Sequence, residues 1–273
     1  MTSEQIFKLL TEEYTLVLAT DVQDFQAIKQ VRAEVFSHKY SMSPEFLEEK
    51  GYLFSHDDEQ SFLYLLRDNT RKKYVGTVRV FFINAETPVQ SMPMQKDGNV
   101  EGIEHLSEKL PICEVSRLAL SNTLLEHKDF SAIELRTHLA MLLMVSTRIN
   151  FFLYHYSTIF SIMEPSLDRI LRRQGVRFQQ IGDPVDYYGI RTPFAIERNE
   201  LLKNTEKTMG RLTRHYLKDL CNNPEKFWEF IDNNPYLERS NIHLDKICRL
   251  FQAYGDDVDL SLLLEEKKAE PIA

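Results

Sequence analysis

Three cysteines, one tryptophan and nine glycines are all that this 273-residue chain carries of those residues, and each scarcity closes off a class of protein. Cys113, Cys221 and Cys248 are odd in number and far apart, with no CxxC pair and no histidine at zinc-finger spacing. Neither a disulfide framework nor a structural zinc site is indicated. Positive charge is short as well, because 33 Lys and Arg stand against 41 Asp and Glu for a net charge of -8. That balance speaks against a nucleic-acid binder, and an acidic partner would have to meet a local basic patch. Long hydrophobic runs are missing too. The most apolar stretch, LAMLLMV (139–145), lies between Arg136, His138 and Arg148, far below the roughly 20 residues that span a bilayer. The first twenty residues carry Glu4, Glu12 and Glu13 and lack the basic start and apolar core of a secretion signal. A cytoplasmic protein without a transmembrane segment is the expectation. There is no internal repeat and no low-complexity tract.

What is present is an ordinary globular composition, 43% hydrophobic and 27% charged. YTLVLAT (14–20) reads as a first strand, and Asp21 is placed to cap a helix through VQDFQAIKQVRAEVF. SPEFLEEKGYLF gives a short helix and turn. SFLYLLRD (61–68) and KYVGTVRVFFIN (73–84) form a hairpin across the polar turn NTRKK. Residues 85–110 are a long excursion, followed by the strand ICEVSRLAL (112–120). Ser131 caps a long helix, apolar nearly all round, that packs on a sheet face. STIFSIM is a buried strand, PSLDRILRRQ is a helix with Pro165 in its first turn and Gly175 at its end, and VRFQQIG and DYYGIRTPFAI are the last strands. The order predicts an α/β (α+β) sandwich around one mixed sheet, without the regular alternation of a doubly wound fold. The pattern divides into residues 1–197 and a helical C-terminal extension, 198–273, with an acidic tail.

ICEVSRLAL raises the functional question, since it puts Glu114 and Arg117 inside a core strand. Strand alternation places Ile112, Glu114, Ser116 and Leu118 on one face and Cys113, Val115, Arg117 and Ala119 on the other. Buried charges need partners, and Asp58, Arg79 and Arg32 are the candidates. Two readings stand at this point, an ion-pair network that only fixes the sheet or a site into which Glu114 and Ser116 look.

RAEVF (32–36), Asp58 ahead of SFLYLL, GTVR (76–79) and EVSR (114–117) resemble, in order and approximate spacing, the signature of acyl-homoserine-lactone autoinducer synthases, a family with the GNAT acyltransferase fold. MEPSLDRILRRQGVRFQQIGDPVDYYGIRTP (163–193) is similar to the acyltransferases associated with bacterial PEP-CTERM/exosortase systems, and N-acyl amino acid synthases are the other comparison. The resemblance covers residues 14–195 and implies a GNAT-like, mostly antiparallel central sheet flanked by helices. It also implies attack of a primary amine on a thioester carbonyl, giving an amide and a thiol. On that reading Glu114 is the catalytic base and Ser116 a partner of the acceptor. Arg32, Asp58, Arg79 and Arg117 form the electrostatic cluster of the acceptor pocket, with Arg117 pairing with Asp58. Tyr187 and Tyr188 are candidates to protonate the leaving thiolate.

The glycine-rich loop that cradles coenzyme A phosphates in GNAT enzymes is absent, since SNTLLEHKDFSAIEL holds no glycine. An acyl carrier protein donor is favoured over coenzyme A, with no permanently bound cofactor. Arg169, Arg172 and Arg173 share a helix face on which an acidic carrier could dock; a plain solvated face is the other reading. Ser55 stands where autoinducer synthases carry a second Asp, and their early Trp is missing, so homoserine-lactone chemistry is not carried over. The expected enzyme is a bacterial N-acyltransferase that moves a fatty acyl group onto a small polar amine, an amino acid, with transient membrane-surface contact through the lipid product. A short-chain enzyme using acetyl coenzyme A and a non-catalytic acyl-ligand or partner-binding protein are the alternatives. Cys113 reads as a small buried apolar residue rather than a nucleophile. His56, Asp57, Asp58 and Glu59 are adjacent in the chain and cannot all face one metal ion. No HxxxxD, HHxxxDG or GxSxG motif points to other acyltransferase or hydrolase chemistry.

Overall fold

The computed structural model describes residues 2–83, 92–96, 98, 100–101, 110–121, 127–187, 189–205, 209–233, 238–254, 261 and 264. Thr2 caps α1 (Ser3–Lys8) in a reciprocal box with Gln5, and a π turn over Leu9–Glu13 leads into β1 (Tyr14–Leu18). Asp21 caps α2 (Val22–Tyr40) by accepting from the Asp24 amide, and the helix stops where Ser41 turns left-handed. Ser43 and Pro44 start α3 (Pro44–Glu49), and Ser55 with Asp58 starts α4 (His56–Glu59). The hairpin of β2 (Ser61–Asp68) and β3 (Lys73–Ile83) follows as expected.

Within the excursion lies a short helix, α5 (Pro93–Lys96), ahead of β4 (Ile112–Leu120). Ser131 and Glu134 box the start of α6 (Ala132–Tyr154), in which every residue from Leu139 to Tyr154 is buried. Then come β5 (Thr158–Met163), α7 (Pro165–Arg173), β6 (Gln179–Gln180), β7 (Val185–Asp186) and β8 (Ile190–Glu197). The strand expected over VRFQQIG shrinks to two residues, because Val176 and Phe178 turn into the core instead of laddering. Four helices close the described chain: α8 (Arg198–Thr205), α9 (Arg211–Asn222), α10 (Pro224–Asp232) and α11 (Leu244–Tyr254). Among the described residues no helix is long and apolar enough to cross a membrane.

The strands form one mixed sheet in the order β1-β2-β3-β4-β5-β8-β6, with β7 beside β8. Every pairing is antiparallel except β4 with β5. One face carries α6, with α9 and α11 packed beyond it, around an apolar cluster that includes Val78, Val80, Cys113, Val115 and Leu142. The other face carries α2 against Ala119, and Met92 and Met94 against Phe81, Ile112 and Phe160.

Two irregularities in β4 shape the site. Its parallel ladder with β5 covers only Ile112–Glu114 against Thr158–Phe160, after which the strands part and only the Ser161 hydroxyl, donating to the Val115 carbonyl at 2.8 Å, reaches across. On its other edge, Arg79 opposes Ser116 and Thr77 opposes Ala119, so Arg117 and Leu118 together face Val78. This is a β-bulge, and Arg117 sits in it with φ 52. It corrects the alternation expected from the sequence. One extra residue reverses the parity, so Arg117 joins the face of Glu114, Ser116 and Arg79, while Leu118 and Leu120 turn to the α6 side.

Candidate active site

The parting of β4 and β5 opens a cavity of about 220 Å³ that runs through the sheet. On the α2 side its wall holds Glu114, Ser116, Arg117, Arg79 and the aromatic rings of Tyr52 and Phe36. On the α6 side it is lined by Ala140 and Met144 and by the apolar residues Leu167, Ile170 and Phe178 of α7 and the segment after it. The α2 side is the more polar and charged, and the α6 side is apolar apart from Arg136, Glu164 and Ser166.

Glu114 is 1% exposed, and its Oε2 accepts a hydrogen bond from the Met94 amide at 2.8 Å. The donor comes from α5, so the excursion between β3 and β4 folds back to hold the carboxylate. Lys96 of the same helix pairs with Asp57 at 2.9 Å, which ties α5 to α4. Ser116 accepts from Arg79 Nε at 3.0 Å on the same face.

Beneath them lies the buried charge cluster. Arg32 donates to Asp58 Oδ1 at 2.9 Å and to the Leu53 carbonyl at 2.9 Å, and Arg79 lies 3.8 Å from the same carboxylate oxygen. The second oxygen of Asp58 takes the Ser55 amide and hydroxyl. Burial by itself would raise the Asp58 carboxyl, but the charges of Arg32, Arg79 and Arg117 outweigh it and hold the group well below the usual carboxylate range. Arg117 is pushed down to about 10 by burial and by the like charges of Arg79 and Arg32.

The expected pair of Arg117 with Asp58 is corrected. The direct partner of Asp58 is Arg32, and Arg117 donates to the Tyr52 carbonyl with its guanidinium 5.7 Å from the Tyr52 ring centre. The bulge sets that direction by turning the side chain toward the segment between α3 and α4.

Tyr187 lines the cavity from the turn between β7 and β8, not from a strand as expected, and its hydroxyl is close enough to Arg117 to affect its charge. Tyr188 lies outside the described residues. Arg169, Arg172 and Arg173 are all exposed on α7, whose Leu167, Ile170 and Leu171 face the cavity. Arg172 is committed to Asp168 in its own helix and to the Phe178 carbonyl in the segment after it, donating to both at 2.6 Å. Cys113 points to the opposite face from Glu114, and burial followed by the nearby Glu114 charge pushes its thiol well above its usual range. Among the described residues no group of three His, Cys, Asp or Glu is placed to hold a metal ion.

No family model matches the chain, and no curated protein matches it. Solved structures do. The chain is similar to FeeM, an N-acyl amino acid synthase from uncultured soil microbes, at 17% identity over 72% of this chain and 96% of that one, with a TM-score of 0.49. It is similar to BjaI, a CoA-dependent acyl-homoserine lactone synthase solved with SAM and isopentyl-CoA, at 17% identity over 72% and 89% of the two chains, with a TM-score of 0.43. A putative N-acetyltransferase from Lactobacillus plantarum matches at 12% identity over 68% and 99%, with a TM-score of 0.39.

Several cavity residues escape sequence reasoning. Met94 contributes a backbone amide, which no side-chain pattern reveals. Lys39, Arg136, Glu164 and Arg191 come from four elements and read as surface charges until the fold brings them to one mouth. Glu164 alone gives a signal, standing next to the first-turn proline of α7 at the end of a buried strand.

Proposed function

We propose that the chain is an N-acyltransferase that moves a fatty acyl group from a carrier-protein or coenzyme A thioester to the amine of a small polar acceptor, an amino acid. The observation that carries this reading is Glu114, a carboxylate fixed by the Met94 amide in the wall of a cavity that joins a charged lobe to an apolar lobe through the sheet.

The acceptor enters as an ammonium ion and must lose a proton before it attacks. Glu114 takes that proton, directly or through a water. The amine then forms a C–N bond with the thioester carbonyl carbon, whose oxygen gains negative charge. Arg117 and Leu118 have no strand-register partner on either edge of β4, so the bulged backbone beside Glu114 is where peptide N–H groups can stabilise that oxygen. Collapse breaks the C–S bond, the thiolate takes a proton from Tyr187, the extra proton on the new amide nitrogen passes to the tyrosinate, and Glu114 returns its proton to solvent. The cationic surroundings of Arg79 and Arg117 favour the acceptor's own carboxylate, and Ser116 offers it a hydroxyl. The apolar lobe between α6 and α7 suits the acyl chain.

Exposed Arg169 and Arg173 next to that lobe form the docking face for an acidic carrier protein. Arg169→Glu and Arg173→Glu are the cleaner probes, because Arg172 also ties α7 to the segment after it. Weaker, salt-sensitive carrier binding is expected, and unchanged affinity would remove the docking site.

The reaction is tested by mass spectrometry of lipid extracts from a host making wild-type protein or Glu114→Gln. An N-acyl amine present only with the wild type fixes reaction, acceptor and chain length together. Turnover should drop about 10²–10⁴-fold in the variant. A fatty ligand bound equally by both proteins, with no new amide, would mark a binding protein instead.

A further inference from the structure

At the mouth of the cavity stands a second cluster that the chemistry above does not use. Glu164, at the end of β5, receives two cations on one oxygen: Lys39 Nζ lies 2.5 Å and the Arg191 guanidinium 3.3 Å from Oε1. Its other oxygen takes the Ser166 hydroxyl at 3.4 Å. Arg191 is fixed further by the Tyr40 hydroxyl and by the Tyr187 carbonyl, which accepts from Nε at 2.7 Å. Arg136, on α6, lines the same mouth, and the charge of Glu164 reaches it. The cations therefore come from α2, α6 and β8 and span both faces of the parted strands.

A solvated salt bridge needs one cation per carboxylate. Setting Lys39 and Arg191 on a single oxygen in a partly enclosed mouth leaves them an excess of positive charge over that carboxylate, which an incoming anion relieves. The geometry below the cluster indicates the shape of that ligand. Arg136, Ala140 and Met144 stand four residues apart on one row of α6, so the cavity wall runs about 12 Å from a charged rim to an apolar floor. An elongated substrate with one anionic end fits such a wall.

We propose that Lys39, Arg136 and Arg191, organised by Glu164, form an oxyanion subsite that holds a phosphate or carboxylate group of a substrate entering the cavity. Under the acyl-transfer reading, on which the identity of the ligand rests, the source is the phosphate of a phosphopantetheine donor arm or the carboxylate of the acceptor. Glu164 holds Lys39 and Arg191 in place between turnovers and gives them up to the incoming group.

Calorimetric titration of the full-length protein separates the sources without requiring turnover. Phosphopantetheine is compared with pantetheine, and leucine with isopentylamine, in wild type and in Lys39→Ala, Arg136→Ala, Arg191→Gln and Glu164→Gln. In the wild type at least one probe that carries the oxyanion should bind about tenfold more tightly than its counterpart that lacks it, the size expected of charge-assisted pairing. A preference in the first pair assigns the subsite to the donor, and one in the second that falls in Lys39→Ala and Arg191→Gln assigns it to the acceptor, whose carboxylate is then held here and not by Arg79 and Arg117. That preference should shrink severalfold in Arg136→Ala and Lys39→Ala, and Glu164→Gln should bind the oxyanion-bearing probe more tightly than the wild type, because a competing carboxylate is gone.

Equal binding within both pairs by the wild type overturns the proposal, and this result does not depend on any variant folding. So does a preference untouched by all three cation substitutions in proteins of unchanged melting temperature. A host that makes no N-acyl amine while the binding preference persists removes the reaction and leaves the subsite standing.

Discussion

The two halves of β4 differ more than any other neighbouring segments of the sheet. Ile112 to Val115 form a regular strand with ladders to β3 and, through Glu114, to β5, while Ser116 to Leu120 leave β5, bulge against β3 and carry a residue at positive φ. The regular half supplies register and the carboxylate. The irregular half supplies the opening, the changed parity and, at Arg117 and Leu118, backbone without register partners.

The largest effect expected from breaking this arrangement comes from the buried pair beneath it. Arg32→Leu leaves Asp58 without its direct partner and should cost about 3–5 kcal/mol in urea unfolding, whereas the double variant with Asp58→Leu should recover much of that loss. Equal losses in the two would show that the pair does not act as a unit. Gly98→Ala comes next, since a Cβ there would stand 2.7 Å from the Met94 carbonyl oxygen and 2.9 Å from Ile162 Cδ1. Overpacking of this kind costs about 1–3 kcal/mol. It should also displace the amide that holds Glu114, so turnover falls further than stability.

A finer comparison sets Arg117→Val against Arg117→Gly. Both lose the guanidinium, but only valine must pay for φ 52, so the valine protein should be less stable by about 1–2 kcal/mol in thermal unfolding. Identical midpoints would mean that the bulge relaxes when the arginine leaves. The smallest effect lies at the closed end of the parted strands, where His155 precedes β5 and its Nε2 accepts from Arg198 at 2.8 Å. Burial first, then Arg198 and Lys246, push His155 down to about 4 from an ordinary 6.5. The unfolded chain therefore binds the proton more readily, and stability should decline as pH falls from about 6.5 toward 4. His155→Gln should flatten that slope, and an unchanged slope would assign it to other groups.

Most of the sheet was legible before the structure. The hairpin from Ser61 to Ile83, the buried strand at Thr158 and the long apolar helix follow from periodicity and caps, because local pattern and tertiary role agree there. Core burial pointed to Asp58, Arg79 and Arg32 only as partners for Glu114 and Arg117, and it was the family resemblance that implied one cluster; in the structure Arg32 and Arg79 meet at Asp58 while Arg117 turns to Tyr52. The bulge was not, because nothing in ICEVSRLAL marks an arginine at positive φ, and alternation therefore put Arg117 on the wrong face. Nor was α5, whose contribution is a backbone amide, or the mouth cluster, whose four residues meet only after α2, α6, β5 and β8 are in place.

The burial of α6 bears on the order in which the protein can be completed. Its outer side is covered by α9 and α11, and the last of these ends at Tyr254, a hundred residues after α6 itself. During synthesis the helix leaves the ribosome long before that cover exists, with Phe151, Phe152 and Leu153 among the side chains waiting for it. A nascent chain at that stage exposes apolar surface prone to aggregation until the C-terminal helices arrive.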